Sequence, residues 1–134
     1  MATTLETTLE ITGWDENPYE ETDAGGKLAR ADVTLEQGPD GLGPGGSRSL
    51  LYYRPDGTSS FVNLMRLTAT IDGRSGSFVL LGQGTYDGTT ARVESTVVPG
   101  SGTGELAGIS GTAESVSTKE DYPQMPLTLV YDME

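Results

Sequence analysis

An Asp-Gly pair between two alternating apolar runs is the strongest short-range signal for a β-hairpin, because a type I′ turn needs positive φ at both central residues. Between such runs this chain carries the pair at Asp56-Gly57, Asp72-Gly73 and Asp87-Gly88. Residues 72–111 read as apolar runs at 78–81, 91–98 and 106–109. The last two are parted by Pro99-Gly100-Ser101-Gly102-Thr103-Gly104. The middle of the chain is therefore an antiparallel meander, and everything else must pair with it or pack on it.

Upstream, Leu5, Leu9 and Ile11 alternate with Thr8, Glu10 and Thr12, which gives a first strand ending near Gly13-Trp14. Asn17-Pro18-Tyr19 and the acidic residues that follow to Gly26 are expected to form a loop. Asp15, Glu16, Glu20, Glu21 and Asp23 lack the regular Asp-x-Asp-x-Asp-Gly spacing of a Ca²⁺ loop, so they read as a solvated acidic surface. Residues 27–37 form a second strand, with Ala29, Ala31, Val33 and Leu35 toward the core. Residues 38–46 (GPDGLGPGG) are expected to leave the ladder, since Pro donates no N–H and Gly weakens strand pairing. They would serve as a long connection or as a lid.

Residues 49–54 and 59–71 flank the Pro55-Asp56-Gly57 turn as two strands. In the second, Phe61, Asn63, Met65, Leu67 and Ala69 share one face. Residues 112–117 and 127–133 complete a set of about eight antiparallel strands, and no stretch has helical period. Such a set closes into a small barrel, filled by side chains or holding one small ligand. A β-sandwich is the alternative. The expected fold is all-β, one closed antiparallel barrel domain over residues 1–134.

Composition narrows the chemistry. A net charge of −12 leaves no surplus of Lys and Arg to displace counterions from a nucleic-acid backbone. No apolar run approaches the ~20 residues of a membrane-spanning helix. The N-terminal residues have neither the basic nor the apolar region of a secretory signal, so a cytoplasmic protein is expected. With no Cys and no His, thiolate nucleophiles and the commonest metal ligands are excluded. Neither a metal nor a cofactor is expected, and carboxylates, Tyr, Arg, Ser, Thr and the backbone must supply any chemistry. Gly100, Gly102 and Gly104 sit between strands with no Lys-Ser/Thr after them, which argues against a phosphate cradle.

Gly100 to Gly111 (GSGTGELAGISG) resembles the Gly-rich hairpin of barrels related to allene oxide cyclase. The wider set is Trp14-Asp15-Glu16-x-Pro18-Tyr19, Lys27-Leu28, Tyr53-Arg54-Pro55-Asp56-Gly57, Asp72-Gly73-Arg74-Ser75-Gly76-Ser77-Phe78 and Leu129-Val130-Tyr131-Asp132. It resembles a bacterial family of proteins of unknown function, DUF3224. The resemblance implies an allene oxide cyclase-like, lipocalin-like barrel and says little about a reaction. The family pattern has a Glu before the Arg of the fourth strand and a His after the apolar run of the fifth, where this chain has Met65 and Gly82. A soft side chain and a vacancy then imply a wider, more apolar interior, unless Met65 simply fills core.

Allene oxide cyclase and some polyketide cyclases, which share that barrel type, fold a flexible apolar substrate without a cofactor. The resemblance therefore implies a cyclase or isomerase of biosynthesis acting on a polyketide-like or fatty-acid-like molecule. Glu94, Tyr131 and Glu16 are the candidates for proton transfer. Trp14, Tyr19, Tyr52, Tyr53, Phe61, Asn63, Met65, Phe78, Leu80, Gly82 and Met125 are the candidates for binding. Tyr52 and Tyr53 are adjacent in a strand, so only one can face the interior. Glu94 next to Arg92-Val93 can face either way. A hydrophobic carrier and a structural barrel with a filled core are the alternatives, and a homodimer is left open.

Overall fold

The computed structural model describes residues 2–38 and 41–133. Nine strands make up the fold: β1 (Thr3–Glu21), β2 (Lys27–Glu36), β3 (Leu42–Tyr53), β4 (Ser59–Ile71), β5 (Arg74–Tyr86), β6 (Thr90–Val97), β7 (Thr103–Gly104), β8 (Ser110–Thr118) and β9 (Gln124–Asp132). All pair antiparallel in the order β4-β3-β2-β1-β9-β8-β6-β5-β7, and a further β4–β5 ladder closes the sheet in a ring. Among the described residues no helix is long and apolar enough to cross a membrane.

The closing ladder is the hairpin that the sequence marks most strongly. Asp72 and Gly73 take φ of 52° and 75°, as a type I′ turn requires. They join β4 to β5 along an unbroken register from Ile71 opposite Arg74 to Ser59 opposite Tyr86. At Asp56-Gly57 and Asp87-Gly88 only the glycine has positive φ. There the carboxylate holds a longer loop. Asp56 accepts from the Thr58 hydroxyl at 2.7 Å and its N–H at 2.9 Å. Asp87 accepts from the N–H groups of Thr89 at 2.9 Å and Thr90 at 2.8 Å.

Three stretches differ from expectation. β1 does not stop at Gly13 but runs to Glu21, pairing first with β9 and then with β2. Register shifts at Ile11/Gly13 and Pro18/Glu20 leave Thr12 and Tyr19 as the extra residues of two bulges, which bend the strand without ending it. β3 begins at Leu42, inside the expected connection. Gly45 lies opposite Leu35 on one side and Leu67 on the other. A Cβ there would collide with the Arg66 carbonyl and stand 2.9 Å from the Leu67 side chain, so glycine here permits close strand approach rather than weakening the ladder. Pro39 and Asp40 of that connection lie outside the described residues.

The third is 106–109, expected as a strand. Only Thr103–Gly104 pairs, with Ser77 and Gly76 of β5. Leu106 and Ile109 then turn into the ring and are buried with Phe78, Leu67 and Leu129. Ser77 N–H donates to Thr103 Oγ1 at 3.0 Å, tying this plug to β5. A Cβ on Gly76 would meet the Thr103 carbonyl, which is why the plug can sit so close.

Candidate functional site

Residues that face one another across an antiparallel ladder share a face, so the register assigns the interior. At the plugged end the inward side chains are large: Leu9, Leu42, Leu67, Phe78, Leu80, Leu106 and Leu129 are buried there. Burying each contributes roughly 1.5–3 kcal/mol. Toward the other end many inward positions are small, with Ala29 and Ala31 on β2, Ser49 on β3, Gly82 and Gly84 on β5, Ala91 on β6, and Ser115 and Ser117 on β8. Small walls on a ring of fixed circumference leave space.

That space is a hollow of about 430 Å³, walled by Trp14, Leu51, Tyr53, Phe61, Tyr86 and Tyr122, with Ser49, Ser59 and Ser117 among them. A deeper hollow of about 120 Å³ lies against Asn63, Met65, Leu80, Val93, Met125 and Leu127. The two share Ile11, Trp14, Ser49, Phe61, Ala91 and Ser117 as walls. Lys119 is the only charged residue that lines either one, among the described residues. Most of the lining is apolar or hydroxylic.

One hydrogen-bonded group fixes the mouth. The Tyr53 hydroxyl donates to Glu16 Oε2 at 2.7 Å, and Trp14 Nε1 donates to Glu16 Oε1 at 3.1 Å. Lys27 Nζ sits 5.0 Å from the Tyr53 ring centroid, within cation–π range. Burial, with the hydrogen bond and the negative charge of Glu16, pushes the Tyr53 hydroxyl above its ordinary value. Tyr53 is therefore a hydrogen-bond donor at any physiological pH, and Glu16 orients both aromatic side chains through these two bonds. The β1 bulge at Gly13 makes this possible: it shifts the alternation so that Trp14 and Glu16 face inward opposite Val33 and Ala31.

The sequence candidates divide by location. Trp14, Tyr53, Phe61, Asn63, Met65, Leu80 and Met125 line one hollow or both. Glu16 faces inward but lines neither hollow, and it is bonded to Trp14 and Tyr53. Phe78 and Tyr131 are buried in the plugged end and line neither. Glu94 faces outward, opposite Gln83 on β5 and Glu114 on β8. Tyr52 lies on the outer face and Tyr19 is exposed at the second β1 bulge. Gly82 is not a vacancy. A Cβ there would collide with Ser95 Oγ and come within 2.7 Å of Asn63 Oδ1, so the neighbours already occupy the space.

Sequence reading missed Tyr86, Ala91, Ser117, Lys119, Tyr122 and Gln124, which also line the larger hollow. The signal for Tyr86 and Ala91 was present. A hairpin pivoting on Asp87-Gly88 sets those two residues opposite each other, and Tyr86 shares the parity of Phe78 and Leu80. Residues 118–124 give no such signal, because they fall between the strands expected at 112–117 and 127–133. Among the described residues no group of three or more carboxylates gathers as metal ligands would.

A comparison with solved structures aligns the chain with the crystal structure of a protein of unknown function from the DUF3224 family of Shewanella oneidensis MR-1. The TM-score is 0.72 at 24% identity, covering 100% of this chain and 99% of that one. At that identity the likeness speaks for the fold. No curated protein matches. The family model described as "Protein of unknown function (DUF3224)" matches residues 5–129, and the chain thus belongs to the DUF3224 family.

Proposed function

We propose that the ring binds a small, mainly apolar organic molecule with one or two hydrogen-bonding groups, held between Trp14 and Phe61 with its polar end toward Tyr53 and Lys119. The observation that carries this reading is the internal hollow of about 430 Å³, within the range of small-molecule sites and lined as they are, by aromatic and aliphatic side chains with a few polar groups. Trp14 is the chain's only Trp and a wall of the hollow, so its fluorescence reports occupancy. Titration with anilinonaphthalene sulfonate should quench Trp14 saturably. Ala91→Leu, which builds into both hollows, should weaken binding by about tenfold or more, equivalent to ~1.4 kcal/mol. Thr96→Leu on the outer face should leave it unchanged. Equal affinities for both variants would refute a site inside the ring.

A cofactor-free isomerase or cyclase on an allene oxide cyclase-like barrel is the second reading, favoured by the Tyr53–Glu16 hydrogen bond. Tyr53 would turn its single hydroxyl proton from Glu16 to a developing oxyanion. Among the described residues no carboxylate lines either hollow, so this reading leans on proximity, which supplies about 7–11 kcal/mol in favourable intramolecular systems. Tyr53→Phe should then abolish turnover of a bound polyene or polyketone while retaining its binding. A carrier would bind the same compounds and return them unchanged.

A further inference from the structure

The interior of the ring carries one polar level between two mainly apolar ones. The register sets Ser49 opposite Asn63, Asn63 opposite Gly82, and Gly82 opposite Ser95, so β3, β4, β5 and β6 meet at one height. One step toward the plug, β4, β5 and β6 present Met65, Leu80 and Val97. One step toward the mouth they present Phe61, Gly84 and Val93. Gly82 makes the row possible, because Asn63 Oδ1 and Ser95 Oγ both lean into the place where its Cβ would stand.

These polar groups have no partners within the protein. Among the described residues, neither the Ser49 hydroxyl, the Asn63 carboxamide nor the Ser95 hydroxyl takes part in a hydrogen bond. Ser115, by contrast, donates to the Pro126 carbonyl at 2.6 Å. Thr7 Oγ1 is, among the described residues, the only unpartnered side-chain polar atom sealed from all open space. The row therefore opens onto the interior, Ser49 included although it is only 8% exposed. All three residues line the deeper hollow of about 120 Å³. Asn63 offers a donor at Nδ2 and an acceptor at Oδ1, and each hydroxyl offers both. Unpaired polar groups in an apolar enclosure are unfavourable, so waters or polar atoms of a guest must complete them.

Taking the hollow as a guest site, we infer that Asn63, flanked by Ser49 and Ser95, selects a guest with an uncharged oxygen, a carbonyl or a hydroxyl, at its inner end. Among the described residues no charged side chain lines the deeper hollow. A carboxylate or ammonium group there would be buried without a counter-ion. A hydrocarbon end would displace the waters and leave the row unpaired. A neutral oxygen avoids both penalties: Asn63 Nδ2 donates to a carbonyl, and Oδ1 accepts from a hydroxyl. A site built to hydrogen-bond such an oxygen discriminates against the analogue that lacks it, because its own polar groups are then stranded.

Two probes of one shape test this. 2-Acetylnaphthalene and 2-isopropenylnaphthalene differ by a ketone oxygen in place of a methylene, and each is titrated against Trp14 fluorescence in wild type and in Asn63→Leu. Comparing the ketone-to-hydrocarbon affinity ratio between the two proteins cancels the difference in hydration of the probes. The ratio should fall by about tenfold or more in Asn63→Leu, equivalent to ~1.4 kcal/mol. The carbonyl infrared band of the bound ketone should lie below its position in hexane in wild type and return toward it in the variant. Should Asn63→Leu fail to fold, Asn63→Ala, which only removes atoms, is measured in its place. An unchanged ratio with both probes bound would overturn the choice of an inner oxygen while the hollow stands as a site. A band shift that survives the substitution would do the same, since the ketone would then point to the mouth. If neither probe quenches Trp14, the hollow itself is refuted as a guest site and the role of Asn63 falls with it.

Discussion

Replacing Leu106 with Ala tests whether residues 105–109 are a plug or an ordinary turn. Leu106 is 0% exposed, and the substitution removes three carbon atoms from a closed apolar environment. At about 0.8 kcal/mol per buried methylene, the transfer loss is about 2.4 kcal/mol. The surroundings are backbone of Gly76 and Gly102 and close-packed side chains, so they cannot collapse fully, and a cavity term raises the cost to about 3–4 kcal/mol. With an unfolding entropy of about 2.1 cal/mol/K per residue and 134 residues, the melting temperature should fall by roughly 10 °C or more. Denaturant titration with a fixed slope measures the free energy, and a thermal scan measures the shift. Leu64→Ala is the control. Leu64 is 52% exposed, so its truncation should cost less than about 1 kcal/mol. Leu106 lines neither interior hollow, so probe binding should persist at temperatures below the transition. If Leu106→Ala costs no more than Leu64→Ala, the plug is not holding the closed end and the account of the fold fails there.

Gly82→Ala should destabilise by about 1–3 kcal/mol through overpacking against Ser95 and Asn63; a neutral or stabilising result in denaturant titration would restore the vacancy. Tyr53 has its hydroxyl pushed up by burial and Glu16. The unfolded chain therefore ionises first, and this contribution is complete below the ordinary tyrosine value of about 10 and lost as pH rises above it. Wild type should lose stability more steeply than Tyr53→Phe in that alkaline window, and parallel curves by circular dichroism would contradict the assignment. Asp87 is held below the usual carboxylate range by hydrogen bonds from Thr89 and Thr90, so its contribution is present above about pH 4 and lost as pH falls below it. Asp87→Asn should lower stability at neutral pH and narrow the gap to wild type in acid; a gap that widens in acid would reverse the sign.

Local chemistry was legible where it was sufficient. Asp72-Gly73 needs nothing from the rest of the chain to form its turn, and the alternation of 59–71 needs only the presence of a core, so β4, β5 and their connection were readable. Glycine and proline misled where tertiary contact reversed their usual meaning. Gly45 was read as a strand breaker, but its missing side chain is what lets β3 approach Arg66 and Leu67. Gly13 carries the signal of a strand end, yet the bulge at Thr12-Gly13 resets the parity of β1 and turns Trp14 and Glu16 inward. The site followed the same division. Phe61, Asn63, Met65 and Leu80 came from simple alternation. Phe78 shares that alternation but lies beyond the point where the interior fills. Alternation assigns a face and carries no information about depth along the ring.

Depth is set by the sizes of the inward residues, and these change in step on strands distant in sequence. Going along β4, the inward series runs Ser59, Phe61, Asn63, Met65, Leu67; its partner β5 runs Tyr86, Gly84, Gly82, Leu80, Phe78. Phe61 can reach across because the facing Gly84 has no side chain; a Cβ there would stand 2.7 Å from the ring. Asn63 is accommodated by Gly82 in the same way. On β6 and β8, Ala91, Val93 and Ser95 face Ser117, Ser115 and Ala113, and no large side chain among them could fill the middle. A chain selected only for stability would enlarge such positions, since each added buried methylene contributes about 0.8 kcal/mol where space exists. Here the large side chains and the plug are concentrated at one end, where they supply the apolar burial that stabilises the ring. The small residues are concentrated at the other, under a Trp14–Glu16–Tyr53 group held by hydrogen bonds rather than by packing. That division lets the mouth stay underfilled while the ring remains folded, as a site for an internal guest requires.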